Sequence, residues 1–238
     1  MRELPLVHQY GNGEPGLVWR ELAASLVTSA WVRAGDGENF PLLHHHRVLA
    51  VDDDEPELVL VFEHLPSVLS EWVDRGVDDE AAAAMIARAW PALDVLEDRG
   101  LTHFDTHWGN VLTDGARLSF AAMGLAMYEN FALSDAERAF RREHASTYDH
   151  ALFARGLLRV IFRLPGGGAE MTERILAAPD IGAEAEQLGV PHAFATLLAR
   201  FGEVAWIAFS FMNKVKAGEP TPYPREALEG ALAKARNS

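Results

Sequence analysis

From Leu17 to Val32 apolar residues fall at helical spacing. Leu17, Val18, Leu22, Leu26, Val27 and Ala30 lie on the repeat, with Trp19 and Trp31 among them, and this predicts an amphipathic helix that ends at the Gly35–Gly37 segment. Ahead of it, residues 4–10 suggest a short strand and Gly11-Asn12-Gly13 a turn. Residues 47–51 and 58–63 alternate in character, predicting two strands around the acidic turn Asp52-Asp53-Asp54-Glu55-Pro56. Leu58-Val59-Leu60-Val61-Phe62 is the strongest strand of the chain, and Glu63-His64-Leu65-Pro66 breaks it.

Beyond Ser67 the pattern turns helical. An Ala-rich helix is predicted over 78–98, kinked at Pro91, whose ring removes a backbone donor. Residues 111–113 and 117–121, joined at Asp114-Gly115, predict a hairpin. Ser134-Asp135-Ala136-Glu137 is a capping box that opens a helix to about His144. Further helices are expected at 147–163, 170–177 and 191–215, with Gly166-Gly167-Gly168 and Pro179-Asp180 as breaks. No internal repeat is evident. A small strand-rich part (about 1–63) thus precedes a larger helical part (about 67–238), with a short connector between them as a hinge.

Composition narrows the class. With 238 residues, 49% hydrophobic and 24% charged, the chain suits one large domain or two modest lobes around a cleft. It has no uninterrupted apolar run of the roughly 18 residues a transmembrane helix needs, and residues 1–5 lack the apolar core of a signal peptide. The absence of cysteine excludes disulfides and thiolate metal sites. A cytoplasmic location without membrane attachment is the expectation. A net charge of −14 argues against nucleic-acid binding, which demands basic surface. Such acidity serves solubility, or alternatively the steering of a basic partner. Lys214, Lys216 and Lys234 are the three lysines of the chain, all near its end.

The densest chemistry lies in His103-Phe104-Asp105-Thr106-His107-Trp108-Gly109-Asn110-Val111-Leu112. Its spacing is His-x-Asp-x-x-x-x-Asn, in which an Asp can orient and deprotonate an acceptor hydroxyl while an Asn holds magnesium. The segment sits just after a long helix and just before a small hairpin. It closely resembles the catalytic loop of the aminoglycoside-phosphotransferase branch of the protein-kinase-like family, which favours His-x-Asp-x-His-x-Gly-Asn-Val-Leu. Trp108 stands where that branch usually carries proline. The resemblance implies an α+β, two-lobed protein-kinase-like fold, with a truncated strand-rich N-lobe over 1–66 and a helical C-lobe over 67–238. It makes Asp105 the catalytic base, Asn110 a magnesium and nucleotide ligand, and His103 the support of the loop. His107 would lie near the metal or phosphate end, and His8 or Gln9 would face the nucleotide. Glu21 becomes the helix acid that normally pairs with a strand-borne lysine. ATP and magnesium are the cofactors so implied.

Three departures set this chain apart from that family. Ala122-Met123-Gly124 occupies the place of Asp-Phe-Gly, so the principal metal ligand is an alanine. No lysine precedes residue 214. Too few residues precede the matching strand to form a glycine-rich hairpin, and Gly11-Asn12-Gly13 follows it; a start codon placed too late would account for that loss alone. Asp114 or Glu129 could supply a carboxylate in place of Ala122, although each reads more simply as a solvated turn or surface acid. Glu21, without a lysine, reads as a solvated helix acid. His44-His45-His46 beside Asp52-Asp53-Asp54 resembles metal-binding material, but adjacent strand residues face opposite ways and only His44 and His46 could converge. Trp108 could cap a pocket or fill a core. Gly166–Gly168 lacks a preceding strand and reads as a loop rather than a phosphate cradle. Two functions follow as expectations: a pseudokinase that binds a protein or peptide partner and supports a partner enzyme, as in peptide modification, or an atypical phosphotransferase that phosphorylates a peptide or small-molecule hydroxyl.

Overall fold

The structure, a computed structural model, describes residues 14–49 and 57–237. The expected strand at 4–10, the Gly11-Asn12-Gly13 turn, His8, Gln9 and the acidic turn at 52–56 lie outside the described residues. The chain is α+β, mostly helical with small antiparallel sheets. It divides into two compact units, one of residues 1–72 and 91–142, the other of 73–90 and 143–238. The expected lobes were split in sequence order at residue 66; in this division residues 103–124 group with the early strands instead.

The first unit is organised on helix α1 (Glu14–Ala34). Trp19, Leu22, Ala23, Ala24, Ser25, Val27, Thr28, Ser29 and Trp31 are all buried, so the helix is covered on nearly every side rather than along one stripe. Strands β1 (Leu43–Leu49) and β2 (Glu57–Phe62) pair antiparallel, His46 opposite Leu60, with an irregularity between Leu43 and His45. Leu58, Leu60 and Phe62 pack with Leu43 against Trp19 and Leu22 of α1, while Val59 and Val61 are exposed, the alternation predicted for this strand. The Leu43 N–H donates to the Ser29 hydroxyl (2.8 Å) and fastens β1 to the helix. His44, His45 and His46 are all exposed, so the strand presents them to solvent and not to a common centre.

A second sheet orders β3 (Ser67–Val68), β5 (Val111–Thr113) and β6 (Leu118–Phe120), with β4 (Leu101–Thr102) paired to β7 (Met127–Tyr128) beside it. The β5–β6 hairpin forms where expected. The Asp114 carboxylate accepts the Ala116 and Arg117 N–H groups (2.9 and 3.0 Å), and Gly115 takes φ +89°, which a side chain would resist. Strands β3, β4 and β7, of two residues each, are too short to leave a periodic signal.

The remaining elements are α2 (Leu69–Asp74), α3 (Asp79–Ala87), α4 (Ala89–Asp98), α5 (Asp135–His144), α6 (Tyr148–Arg155), α7 (Leu158–Phe162), α8 (Ala169–Ala177), α9 (Ile181–Gln187), α10 (His192–Lys216) and α11 (Arg225–Asn237). The helix expected over 78–98 is two helices, broken at Arg88 rather than kinked at Pro91. Proline is tolerated in a first turn but clashes with the carbonyl four residues earlier, so Pro91 sits third in α4 and the break falls ahead of it. The helix expected over 147–163 likewise divides, between Arg155 and Leu158. In the second unit Trp90 stacks on Phe201 of α10 (ring centroids 3.6 Å, 9°) and meets Phe153 of α6 edge-on. Helix α10 is long and apolar enough to cross a membrane by length and composition, yet half of its apolar window is packed inside the protein. Helix α11, absent from the predicted elements, buries Leu228, Ala231, Leu232 and Ala235.

One ion pair in the first unit had no sequence signal. Arg20 of α1, 2% exposed, pairs with Glu137 of α5, 7% exposed. The same Glu137 completes the predicted capping box, accepting from the Ser134 N–H and hydroxyl (2.8 Å each) while Ser134 Oγ accepts the Glu137 N–H (3.2 Å). Burial pushes the Glu137 carboxyl up, but hydrogen bonds from Ser134 and Arg20 outweigh it and hold the pKa below its ordinary value. Removing one partner of a buried pair leaves an uncompensated charge, so Arg20→Ala is expected to cost about 3–5 kcal/mol. Chemical denaturation checks this: a loss under about 1 kcal/mol, the range of a surface pair, would contradict it.

Candidate active site

His103 holds the motif together. It is fully buried; its Nδ1 accepts the Asp105 N–H (3.2 Å) and its Nε2 faces the Ala121 carbonyl at 2.8 Å. A carbonyl can only accept, so these two bonds select the neutral ring protonated at Nε2. The residues beside the two anchor points are the described non-glycine residues with left-handed backbone, Phe104 at φ 63° and Ala122 at φ 60°. Left-handed alanine costs about 1–2 kcal/mol, and such a conformation persists where surrounding contacts over-determine it.

Asp105 and Asn110 are in direct contact. The Asn110 side-chain amide donates to Asp105 Oδ2 (2.6 Å) and to the Asp105 carbonyl (3.0 Å). Both partners are acceptors, so the amide nitrogen must point at them, and the Asn110 side-chain oxygen turns the other way. His107 stands beside this pair. Its Nε2 lies 3.5 Å from Asp105 Oδ1, and its Nδ1 accepts the Gly109 N–H (3.0 Å), capping the 3₁₀ turn Trp108–Asn110. A Cβ on residue 109 would come within 2.8 Å of the His107 ring, which is why the motif requires glycine there. The side chains of Asp105 and His107 are 32% and 41% exposed, so this edge of the loop is open to solvent. Trp108 is buried, a core residue and not a lid.

Residue 122 stands at the other end of the His103 bridge. Its φ and ψ are 60° and 57°, a region in which Asp and Asn are several-fold enriched among non-glycine residues. The backbone there suits an aspartate, and the side chain is a methyl group. Neither candidate replacement reaches it. Asp114 is engaged by its own turn and by Arg117, whose hydrogen bonds hold its carboxyl below the usual range. Glu129 lies over Gly100, where a Cβ would come within 2.5 Å of its carboxyl carbon.

Glu21 is the correction. It is not a solvated helix acid: it lines a cavity of about 140 Å³ with Ser25, Thr28, Phe62, Leu112, Phe120 and Met123, and with Ala122 at the margin. Burial drives its pKa from 4.5 up to about 7, against smaller opposing effects of hydrogen bonds from the Gly124 N–H and the Ser25 side chain. The sequence held a signal for Ser25 and Thr28, four and seven residues beyond Glu21 on one helix face. Phe62, Leu112 and Phe120 come from separate strands, and no local pattern links them.

The structure therefore brings His103, Asp105, His107 and Asn110 into one hydrogen-bonded loop and places Glu21 in a cavity next to residue 122. Magnesium favours octahedral oxygen ligands with one or two carboxylates. The Asp105 carboxylate faces the Asn110 amide nitrogen, the Asn110 oxygen turns away from it, and Ala122 offers no oxygen, so these residues do not converge on a metal as they stand. No protein-family model matches the chain, and no curated protein matches it.

Two predictions follow from the strained turn and the buried acid. Alanine to glycine ordinarily destabilises by about 0.5–1 kcal/mol, but Ala122→Gly is expected to be neutral or stabilising by up to about 1 kcal/mol, with Ala122→Val destabilising, in thermal unfolding. Because the Glu21 pKa is higher folded than unfolded, its protonated form stabilises the fold; that contribution is full below pH 4.5 and lost as pH rises through about 7. Glu21→Gln should therefore flatten the fall in melting temperature across this interval, and above it should be more stable than the parent by about 1–3 kcal/mol. Parallel pH profiles for the two proteins would refute the assignment.

Proposed function

We propose that this chain is a degenerate member of the protein-kinase-like family, a pseudokinase that binds a protein or peptide partner and supports or regulates a partner enzyme, as in peptide modification. The observation that carries it is Ala122, a methyl group on a left-handed backbone suited to aspartate, set one peptide from the His103 bridge. The support is joint. The carboxylate for magnesium is missing, the three lysines of the chain all lie at or beyond residue 214, and the turn around His103 is retained. Losing one preorganised charge-stabilising group costs about 10²–10³ in rate, and here two such groups are lost together. The net charge of −14 favours a basic partner over nucleic acid, and a cytoplasmic setting is part of the same proposal.

A second reading, an atypical phosphotransferase acting on a peptide or small-molecule hydroxyl, draws on the Asp105–Asn110 bond. In it Asp105 accepts the hydroxyl proton, and Asp105→Asn abolishes turnover without loss of stability.

Calorimetric titration with ATP, with and without magnesium, separates the two. The expected outcome is no magnesium-dependent binding for the parent protein. Magnesium-dependent binding in the micromolar range would overturn the pseudokinase reading, and Ala122→Asp would then show whether the missing carboxylate limits affinity.

A further inference from the structure

The Glu21 cavity has a chemistry of its own. Most of its wall is apolar, from Pro41, Phe62, Leu112, Phe120 and Met123, and its polar side chains are Glu21, Ser25 and Thr28. Among the described residues, Glu21 is the one ionisable residue of the lining, and no lining side chain is cationic. A carboxylate moved from water into apolar surroundings needs a counter-charge or neutralisation. One backbone N–H and one serine do not compensate the burial of Glu21. Arg20, the neighbouring cation on α1, is committed to Glu137. The nearby basic side chain of the hairpin, Arg117, is engaged by Glu63 and Asp114. Ala122, an exposed residue, lies on the cavity wall and marks where it reaches the surface.

We propose that this cavity binds a small alkylammonium group, its apolar stem lying against Phe62, Leu112 and Phe120 and its charged head against Glu21 and the Ser25 hydroxyl. The size is appropriate, since an apolar cavity of about 150 Å³ accommodates a molecule such as benzene, and a four-carbon amine is of comparable size and slimmer. The head group supplies the charge and donors that Glu21 lacks. The same chemistry has two sources, a free amine or a lysine side chain of a peptide. This site requires neither magnesium nor nucleotide, so it stands or falls separately from the pseudokinase reading.

The test is an NMR titration of the full chain with n-butylamine, n-butanol and lysine blocked at both termini as its N-acetyl N-methylamide. Saturable shifts in the Gly124 and Ser25 amides and the Met123 methyl are expected with butylamine in the millimolar range. Hydrogen bonds to charged groups are worth about 1.5–3 kcal/mol, so butanol should bind at least about tenfold more weakly. Glu21→Gln should erase that preference. Binding of blocked lysine as well as butylamine assigns the site to a peptide side chain; binding of butylamine alone assigns it to a free amine. Equal binding of amine and alcohol, or no saturable shift at these residues, overturns the proposal, and the amine–alcohol comparison does so without relying on any variant.

Discussion

The candidate site depends on one buried imidazole. His103 accepts from the Asp105 N–H with one nitrogen and donates to the Ala121 carbonyl with the other, and so ties the loop of residues 104–110 to the turn at residues 122–124. Left-handed Phe104 lies between its ring and Asp105, and left-handed Ala122 immediately follows its other partner. Strained backbone of this kind relaxes unless something holds it. Here a single side chain, at full burial and in one tautomer, fixes both places. A methionine or leucine of similar bulk could fill the volume but could not hold either end.

Around that bridge the first unit is built to exclude water. Helix α1 is covered by the β1–β2 ribbon and by the turn at Met123–Leu125, with Trp19, Leu22 and Leu43 at the shared core. The Arg20–Glu137 pair anchors the helix to α5, and its Glu137 is also the reciprocal partner of the Ser134 cap. A buried ion pair adds little net stability but is costly to break, so the pair restricts how α1 can sit. That restriction matters for Glu21, one residue along, which is half-buried and lines a mostly apolar cavity. The raised Glu21 pKa is a consequence of this packing.

The residues of the site do two kinds of work. His103, Gly109 and the His107 cap serve backbone geometry, and each has a structural reason to be as it is. Asp105 and Asn110 keep their mutual bond and an exposed edge. Residue 122 carries a methyl group, and no lysine precedes residue 214.

Read alone, the sequence determined what depends on short-range pattern. The α1 helix, the β2 alternation, the Asp114-Gly115 hairpin and the Ser134–Glu137 cap all rest on neighbours within one or two turns. Helix α11 was legible too, since Leu228, Ala231, Leu232 and Ala235 fall at helical spacing just beyond Pro224. Only the tertiary structure decided the state of Glu21, the partner of Arg20, the role of Trp108 and the left-handed turn at Ala122. The physical reason is common to them. Burial, ionisation and backbone strain are set by groups brought together from distant parts of the chain, such as Phe62, Leu112 and Phe120 around one carboxyl, and no local spacing encodes that meeting.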